Sequence, residues 1–132
     1  MRYSIFLAVL FLSGCGFFQG AAIAGDISLC DLRSNPDVYD GKSINFHANI
    51  NSDGMEQTSL WDPKCKDFAL GVDQASGSAD WAEVNKIIYG VGIIGTTDKT
   101  VSAEISGVYH KAPRGGKVSV MSIVNVKYSM TK

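Results

Sequence analysis

The feature that most constrains the fold is a strict alternation of apolar and polar side chains over Ser43 to Asn51. The apolar positions are Ile44, Phe46, Ala48 and Ile50. Because successive side chains of a β-strand point to opposite faces, this spacing predicts a strand with one buried face and one face in water. Residues 101–110 alternate in the same way and predict a second such strand.

Turn residues and further apolar runs complete a mainly β prediction. The other expected strands are Met55–Trp61, Phe68–Val72 and Lys117–Tyr128, and a helix is expected over Asp80–Tyr89. The predicted order is therefore β-β-β-α-β-β. Five strands with one helix between the third and the fourth is the arrangement of the OB-fold, a five-stranded Greek-key barrel.

A short helical turn is expected ahead of the first strand, over Ser28–Arg33, because Ser28 and Asp31 have the spacing of a capping box. Turn chemistry follows over Asn35–Lys42. The sequences Leu29-Cys30-Asp31-Leu32 and Asn35-Pro36-x-x-Tyr39-Asp40-Gly41-Lys42, followed by an alternating strand, resemble small extracytoplasmic bacterial OB-like proteins. The resemblance implies a fold and no particular activity.

Residues 1–24 predict a secretory signal, and residues 25–132 one domain. Arg2 gives a positive start, and the run Ile5–Leu12 without charged or polar side chains is followed by small residues, as in signal peptides. The run is shorter than the roughly 18 to 20 residues that a permanent membrane helix requires. Export from a bacterial cell follows from this pattern.

Two cleavage sites compete within the signal. Leu12-Ser13-Gly14-Cys15 resembles the lipobox of bacterial lipoproteins, which implies cleavage before Cys15, a diacylglycerol on its thiol and attachment to a membrane. By the same resemblance, Gly16 implies the outer membrane, facing the periplasm. Ala22-Ile23-Ala24 is instead a site of the A-x-A kind, which would free the domain at Gly25. Of the two sites, the lipobox is favoured.

The sequence contains three cysteines, Cys15, Cys30 and Cys65. Lipidation or cleavage removes Cys15 from the free thiols, so Cys30 and Cys65 remain as a pair. In an oxidising compartment such a pair predicts a disulfide. The two cysteines lack the C-x-x-C spacing of zinc sites, and neither a metal nor another cofactor is expected.

The charge of the exported chain argues against nucleic acid as a partner. Removing Arg2, the one charged residue of the signal, leaves 11 basic and 13 acidic side chains, a net charge of −2. No basic stripe is present to neutralise phosphates.

The polar residues of the first strand are the main candidates for a site. Asn45, His47, Asn49 and Asn51 share one face of that strand and form a candidate binding face for an envelope protein or a glycan. His47 and His110 are the two histidines, and an acid-base or metal role would require both to converge near a carboxylate. No sequence pattern of a known hydrolase accompanies them.

The expected function is that of an exported, lipid-anchored envelope protein acting as a non-enzymatic binding module. One alternative is an inhibitor or immunity lipoprotein directed against a toxin or a lytic enzyme, which an extended apolar or acidic loop at one barrel end would favour. The second alternative is a small hydrolase that uses His47 and His110.

Overall fold

The computed structural model describes residues 26–73 and 77–132. The predicted signal, with Cys15 and both cleavage sites, lies outside the described residues. The helices are α1 (Leu29–Ser34), α2 (Pro36–Tyr39) and α3 (Ala82–Gly90). The strands are β1 (Ser43–Ser52), β2 (Thr58–Trp61), β3 (Ala69–Val72), β4 (Lys99–Lys111) and β5 (Gly116–Met130). The order is α-α-β-β-β-α-β-β, which differs from the expected β-β-β-α-β-β by two short helices ahead of β1.

The first of these helices corresponds to the helical turn predicted over Ser28–Arg33, and local sequence signals explain the start of both. The Ser28 hydroxyl accepts a hydrogen bond from the Asp31 backbone N–H at 3.1 Å, and the Asp31 carboxylate accepts one from the Ser28 N–H at 2.9 Å. This capping box, which the sequence predicts, starts α1. Within the expected turn, Pro36 begins α2, because proline suits the first helical position, where no N–H is needed.

The strands form a closed barrel in the order β1-β2-β3-β5-β4. All neighbouring pairs are antiparallel except β3 and β5, which are parallel. β1 forms hydrogen bonds with both of its neighbours. Ser43–Ile50 pair with β4, and Asn49–Ser52 pair with β2. The expectation of a mainly β domain is therefore confirmed at the level of a five-stranded barrel.

β2 begins at Thr58, three residues later than expected. The Asp53 carboxylate accepts hydrogen bonds from the backbone N–H groups of Met55, Glu56 and Gln57 at 2.8, 3.1 and 3.1 Å. These bonds hold residues 53–57 in a loop, because a carboxylate that engages successive N–H groups competes with strand pairing.

The alternation in β1 has the predicted effect. Ile44, Phe46, Ala48 and Ile50 are all at most 2% exposed and join side chains from every other strand in the core. Leu29 and Leu32 from α1, with Val84 and Ile88 from α3, complete this core. We call the end where β1 starts and β4 finishes the first end, and the opposite end, which carries α3 and the loop of residues 91–98, the second end.

The predicted disulfide is confirmed. Cys30 in α1 and Cys65 in the β2–β3 loop are joined, with Cα atoms 5.3 Å apart. The Arg33 side chain also donates to the Lys66 carbonyl at 3.0 Å. Two linkages therefore fix α1 to the β2–β3 loop.

Candidate functional site

The predicted binding row lies on the outer surface of the barrel. We call Asn45, His47, Asn49 and Asn51 the amide face. Asn45, His47 and Asn51 are exposed, and Asn49 is half-buried. Three residues of β4 extend this surface in register, since Ser106, Glu104 and Ser102 stand opposite Asn45, His47 and Asn49. The surface is therefore polar across two strands.

The structure does not bring His47 and His110 together. His47 stands opposite Glu104 in β4, and His110 lies six residues further along that strand. At about 3.3 Å per residue, the two imidazoles are separated by roughly 20 Å, too far to share a metal or a reacting group. His110 stands opposite Lys117, a cation. Among the residues that the structure describes, no cluster of three His, Cys, Asp or Glu side chains is placed to hold a metal ion.

Trp61, the last residue of β2, adds an aromatic side chain to the amide face. It stands directly opposite Asn49 and is 38% exposed, and Ser59 stands opposite Asn51. Residues directly opposite in an antiparallel pair share a face, with Cβ atoms about 4.5 to 5.5 Å apart. An indole and two carboxamides are therefore neighbours on one outward-facing surface.

Asn51 is held in a defined orientation. The Thr96 hydroxyl donates a hydrogen bond to the Asn51 Oδ1 at 2.8 Å, and the Ser52 N–H donates to the Thr96 Oγ1 at 3.0 Å. A small cavity of about 130 Å³ lies here, between Trp61, the two asparagines and the start of β4. The amide nitrogen of Asn51 is the group of that side chain that remains to donate to a ligand.

A larger groove lies on the other side of Trp61. Its volume is about 610 Å³. It is lined by Trp61, Asp62, Pro63, Lys66, Asp67 and Phe68. We call it the Trp61 groove. The Asp62 carboxylate accepts from the Lys64 N–H at 2.8 Å, and Cys65 of the same loop is bonded to α1, so this wall is fixed by covalent and polar contacts.

Exposed apolar side chains gather at the second end of the barrel. Their exposed fractions are 81% for Met55, 52% for Tyr89, 62% for Ile93 and 58% for Ile94. Met55 and Tyr89 border the same cavity, and Ile94 packs so closely against Gly54 that a Cβ there would lie within 2.4 Å of it. We call these four residues the apolar tip.

A buried lysine holds the loop that carries Ile93 and Ile94. The Lys99 ammonium, with its side chain fully buried, donates to the carbonyls of Ile93 and Gly95 at 2.5 and 2.7 Å. It also pairs with the Asp98 carboxylate at 3.0 Å. The hydrogen bond from the Ile93 N–H, followed by the contact with Lys99, holds the pKa of Asp98 below its ordinary value.

Sequence reasoning names Trp61, Tyr109 and His110 as the side chains nearest to stacking aromatics, but it does not place Trp61 on the amide face and does not single out Lys99. Both have a signal in the alternation of their strands: Leu60 points inward, which turns Trp61 outward, and the inward positions 101 and 103 extend back to Lys99. What the sequence does not give is the register that sets Trp61 opposite Asn49. Tyr109 of β4 is also aromatic, but its side chain is fully buried and its hydroxyl donates to the Gly115 carbonyl at 3.2 Å. It therefore cannot stack on a ligand.

Comparison of the chain with protein-family models, with curated proteins and with solved structures gave no significant match. Within residues 26–73 and 77–132, no helix has the length and apolar character needed to cross a membrane.

Proposed function

We propose that this chain is an exported, lipid-anchored envelope protein whose OB-like barrel acts as a non-enzymatic binding module. The amino-terminal pattern supports export and lipid attachment at Cys15, and the Cys30–Cys65 disulfide is in keeping with an oxidising compartment. The strand order β1-β2-β3-β5-β4, with a helix between β3 and β4, supports the OB-like description.

The observation that carries the binding function is the exposed Trp61 directly opposite Asn49 on the amide face. Binding surfaces are enriched in tryptophan, which offers a large rigid contact area, and carboxamides donate and accept hydrogen bonds without charge. Catalysis would instead require titratable groups that converge on one reacting atom, and His47 and His110 are roughly 20 Å apart by the rise of a strand.

Site-specific photo-crosslinking in intact cells tests this function. A photoreactive amino acid at position 49 of the full chain is expected to capture an envelope component, because that position lies within the amide face. The matched control is position 38, since Val38 is 52% exposed but belongs to α2 near the first end. Equal capture at both positions, or none at position 49, would contradict the proposed binding face.

A second candidate function, an inhibitor or immunity lipoprotein, is favoured by the apolar tip. Met55 protrudes from the β1–β2 loop between the acidic residues Asp53 and Glu56, the combination of apolar and acidic character expected of a loop that enters another protein. Crosslinking from position 55 to a toxin or lytic enzyme, with loss of that enzyme's activity, is the expected result. Capture at position 55 of no such protein would exclude this candidate.

A further inference from the structure

The Trp61 groove combines an apolar wall with a polar rim. Trp61, Pro63 and Phe68 supply the apolar surface of this cavity of about 610 Å³. Asp62, Lys66 and Asp67 from the same loop place two carboxylates and one ammonium at its border. On the far side of Trp61 stand the neutral side chains of Asn49 and Asn51. A ligand that fits must therefore be apolar on one face and rich in hydrogen-bonding groups at its edges.

A pyranose ring has that division of chemistry. Its axial C–H bonds form an apolar face that can lie on an indole, and its hydroxyl groups project around the ring. Carboxylates accept hydrogen bonds from hydroxyls, and an ammonium or a carboxamide donates to them. The side chains that line the groove provide both functions: Trp61 offers the apolar surface, and Asp62, Lys66 and Asp67 offer the hydrogen-bonding groups.

The charges select among sugars. Of the charged side chains that line the groove, two are carboxylates and one is an ammonium, so a carboxylated or phosphorylated glycan in direct contact would meet more like charge than opposite charge. The carboxamides of Asn49 and Asn51 add no charge. The groove therefore favours a neutral sugar, including an N-acetylated one.

Size favours a glycan segment over a protein. The groove is open to solvent, and its volume of about 610 Å³ leaves room for a sugar ring that lies on Trp61. A stable protein interface buries about 1,200 Å² or more, and the groove offers five apolar side chains, of which Ala69 and Cys65 are small. Such a surface is suited to one or two sugar rings.

The groove is also held in shape before a ligand arrives. The disulfide joins its loop to α1, Arg33 donates to the Lys66 carbonyl, and Asp62 accepts from the Lys64 N–H. A fixed loop loses little conformational entropy on binding, which raises the affinity that a few contacts can supply.

We propose that the Trp61 groove binds a neutral pyranose segment of an envelope glycan. The inference rests on the proposed function, because it names the ligand class for that binding module. Trp61 provides the platform, and Asp62, Lys66 and Asp67 at the border of the groove provide the hydrogen bonds that orient the sugar.

Tryptophan fluorescence of the exported full chain tests the proposal. The sequence contains two tryptophans, so Trp81→Phe leaves Trp61 as the reporter. Titration with a β-1,4-linked tetramer of N-acetylglucosamine is expected to give a saturable change in emission. A tetramer of galacturonic acid, which is anionic, is expected to bind at least about tenfold more weakly.

Calorimetry with the same neutral tetramer compares the affinity of the parent with that of two variants of Trp61. Trp61→Ala is expected to weaken binding at least about tenfold, and Trp61→Phe by less, because an aromatic ring remains. Because Trp61 is 38% exposed, Trp61→Ala also removes packing, and a thermal midpoint above the titration temperature is the control that both variants are folded. No saturable signal with the neutral tetramer, or unchanged affinity in Trp61→Ala, would overturn the proposal.

The two proposals fail in different ways. If position 49 crosslinks to an envelope protein while the neutral tetramer does not bind, the glycan inference is wrong and the binding module stands. If no envelope component is captured at position 49, the proposed function itself is contradicted.

Discussion

Lys99 places a charged ammonium group at the start of β4 on the inner side of the barrel, with 2% of the residue exposed. Burying an unpaired charge is costly, but here two carbonyls and one carboxylate surround it. Through these contacts Ile93, Gly95 and Asp98 are all bound to the Lys99 ammonium. A side effect is that Ile93 and Ile94 are held with their apolar side chains toward solvent.

Replacing Lys99 therefore tests whether one residue organises the second end. Lys99→Met leaves the Ile93 and Gly95 carbonyls without their donor and Asp98 without its cation, so the free energy of unfolding is expected to fall by about 3 kcal/mol. Urea denaturation measures the loss. Lys117→Met, at an exposed position of β5, is the control and is expected to change stability by less than about 0.5 kcal/mol. Equal stability of the two variants would contradict this account of Lys99.

At the scale of elements, short-range patterns were enough to predict β1 and the start of α1. The period of two in Ser43–Asn51 and the capping box of Ser28 and Asp31 are each complete within a few residues. The late start of β2 at Thr58 was not predicted, because it depends on the hydrogen bonds that the Asp53 carboxylate accepts from the backbone N–H groups of residues 55–57. The site around Trp61 depended on register between strands, and a single sequence does not carry such long-range pairing.

The disulfide is the covalent link between elements, and its removal has an expected cost. Cys30 and Cys65 are 35 residues apart, so the double variant Cys30→Ala, Cys65→Ala is expected to lose about 3 to 4 kcal/mol of unfolding free energy on the loop-entropy model. Chemical denaturation with and without reductant measures this loss. Reductant is expected to destabilise the parent and leave the double variant unchanged. A parent insensitive to full reduction would contradict the structural role of the bond.

In the molecule as a whole, hydrogen bonds to carboxylates determine how the folding stability decreases at acid pH. Backbone N–H groups lower the pKa of Asp31, Asp53 and Asp98 from the ordinary value of 3.8. A lowered folded-state pKa gives stability that is present above 3.8 and is lost as the pH falls through the lower folded values. On the alkaline side, burial raises the pKa of Tyr109 from 10.0, so its contribution is lost as the pH rises beyond that value.

Asp98→Asn tests this pH dependence. The variant is expected to be less stable than the parent near pH 7, because it loses the charge that pairs with Lys99. Near pH 2 the difference is expected to be smaller, since stability from a lowered pKa declines below 3.8 and is lost as the pH falls through the folded-state pKa of Asp98. Denaturation curves at the two pH values measure the change. A stability difference that stays constant between them would contradict the assignment to Asp98.

The claim on which the rest depends is that this barrel is delivered to the envelope and held there through Cys15. Mass spectrometry of the mature protein, recovered from whole cells rather than from membranes alone, identifies the residue at which the chain begins and any lipid on Cys15. We expect a chain that begins at Cys15, lacks residues 1–14 and carries the mass of a diacylglycerol on the cysteine. A chain that begins at Gly25 would contradict the lipid anchor, and one that retains Met1 would contradict cleavage of the predicted signal at either site.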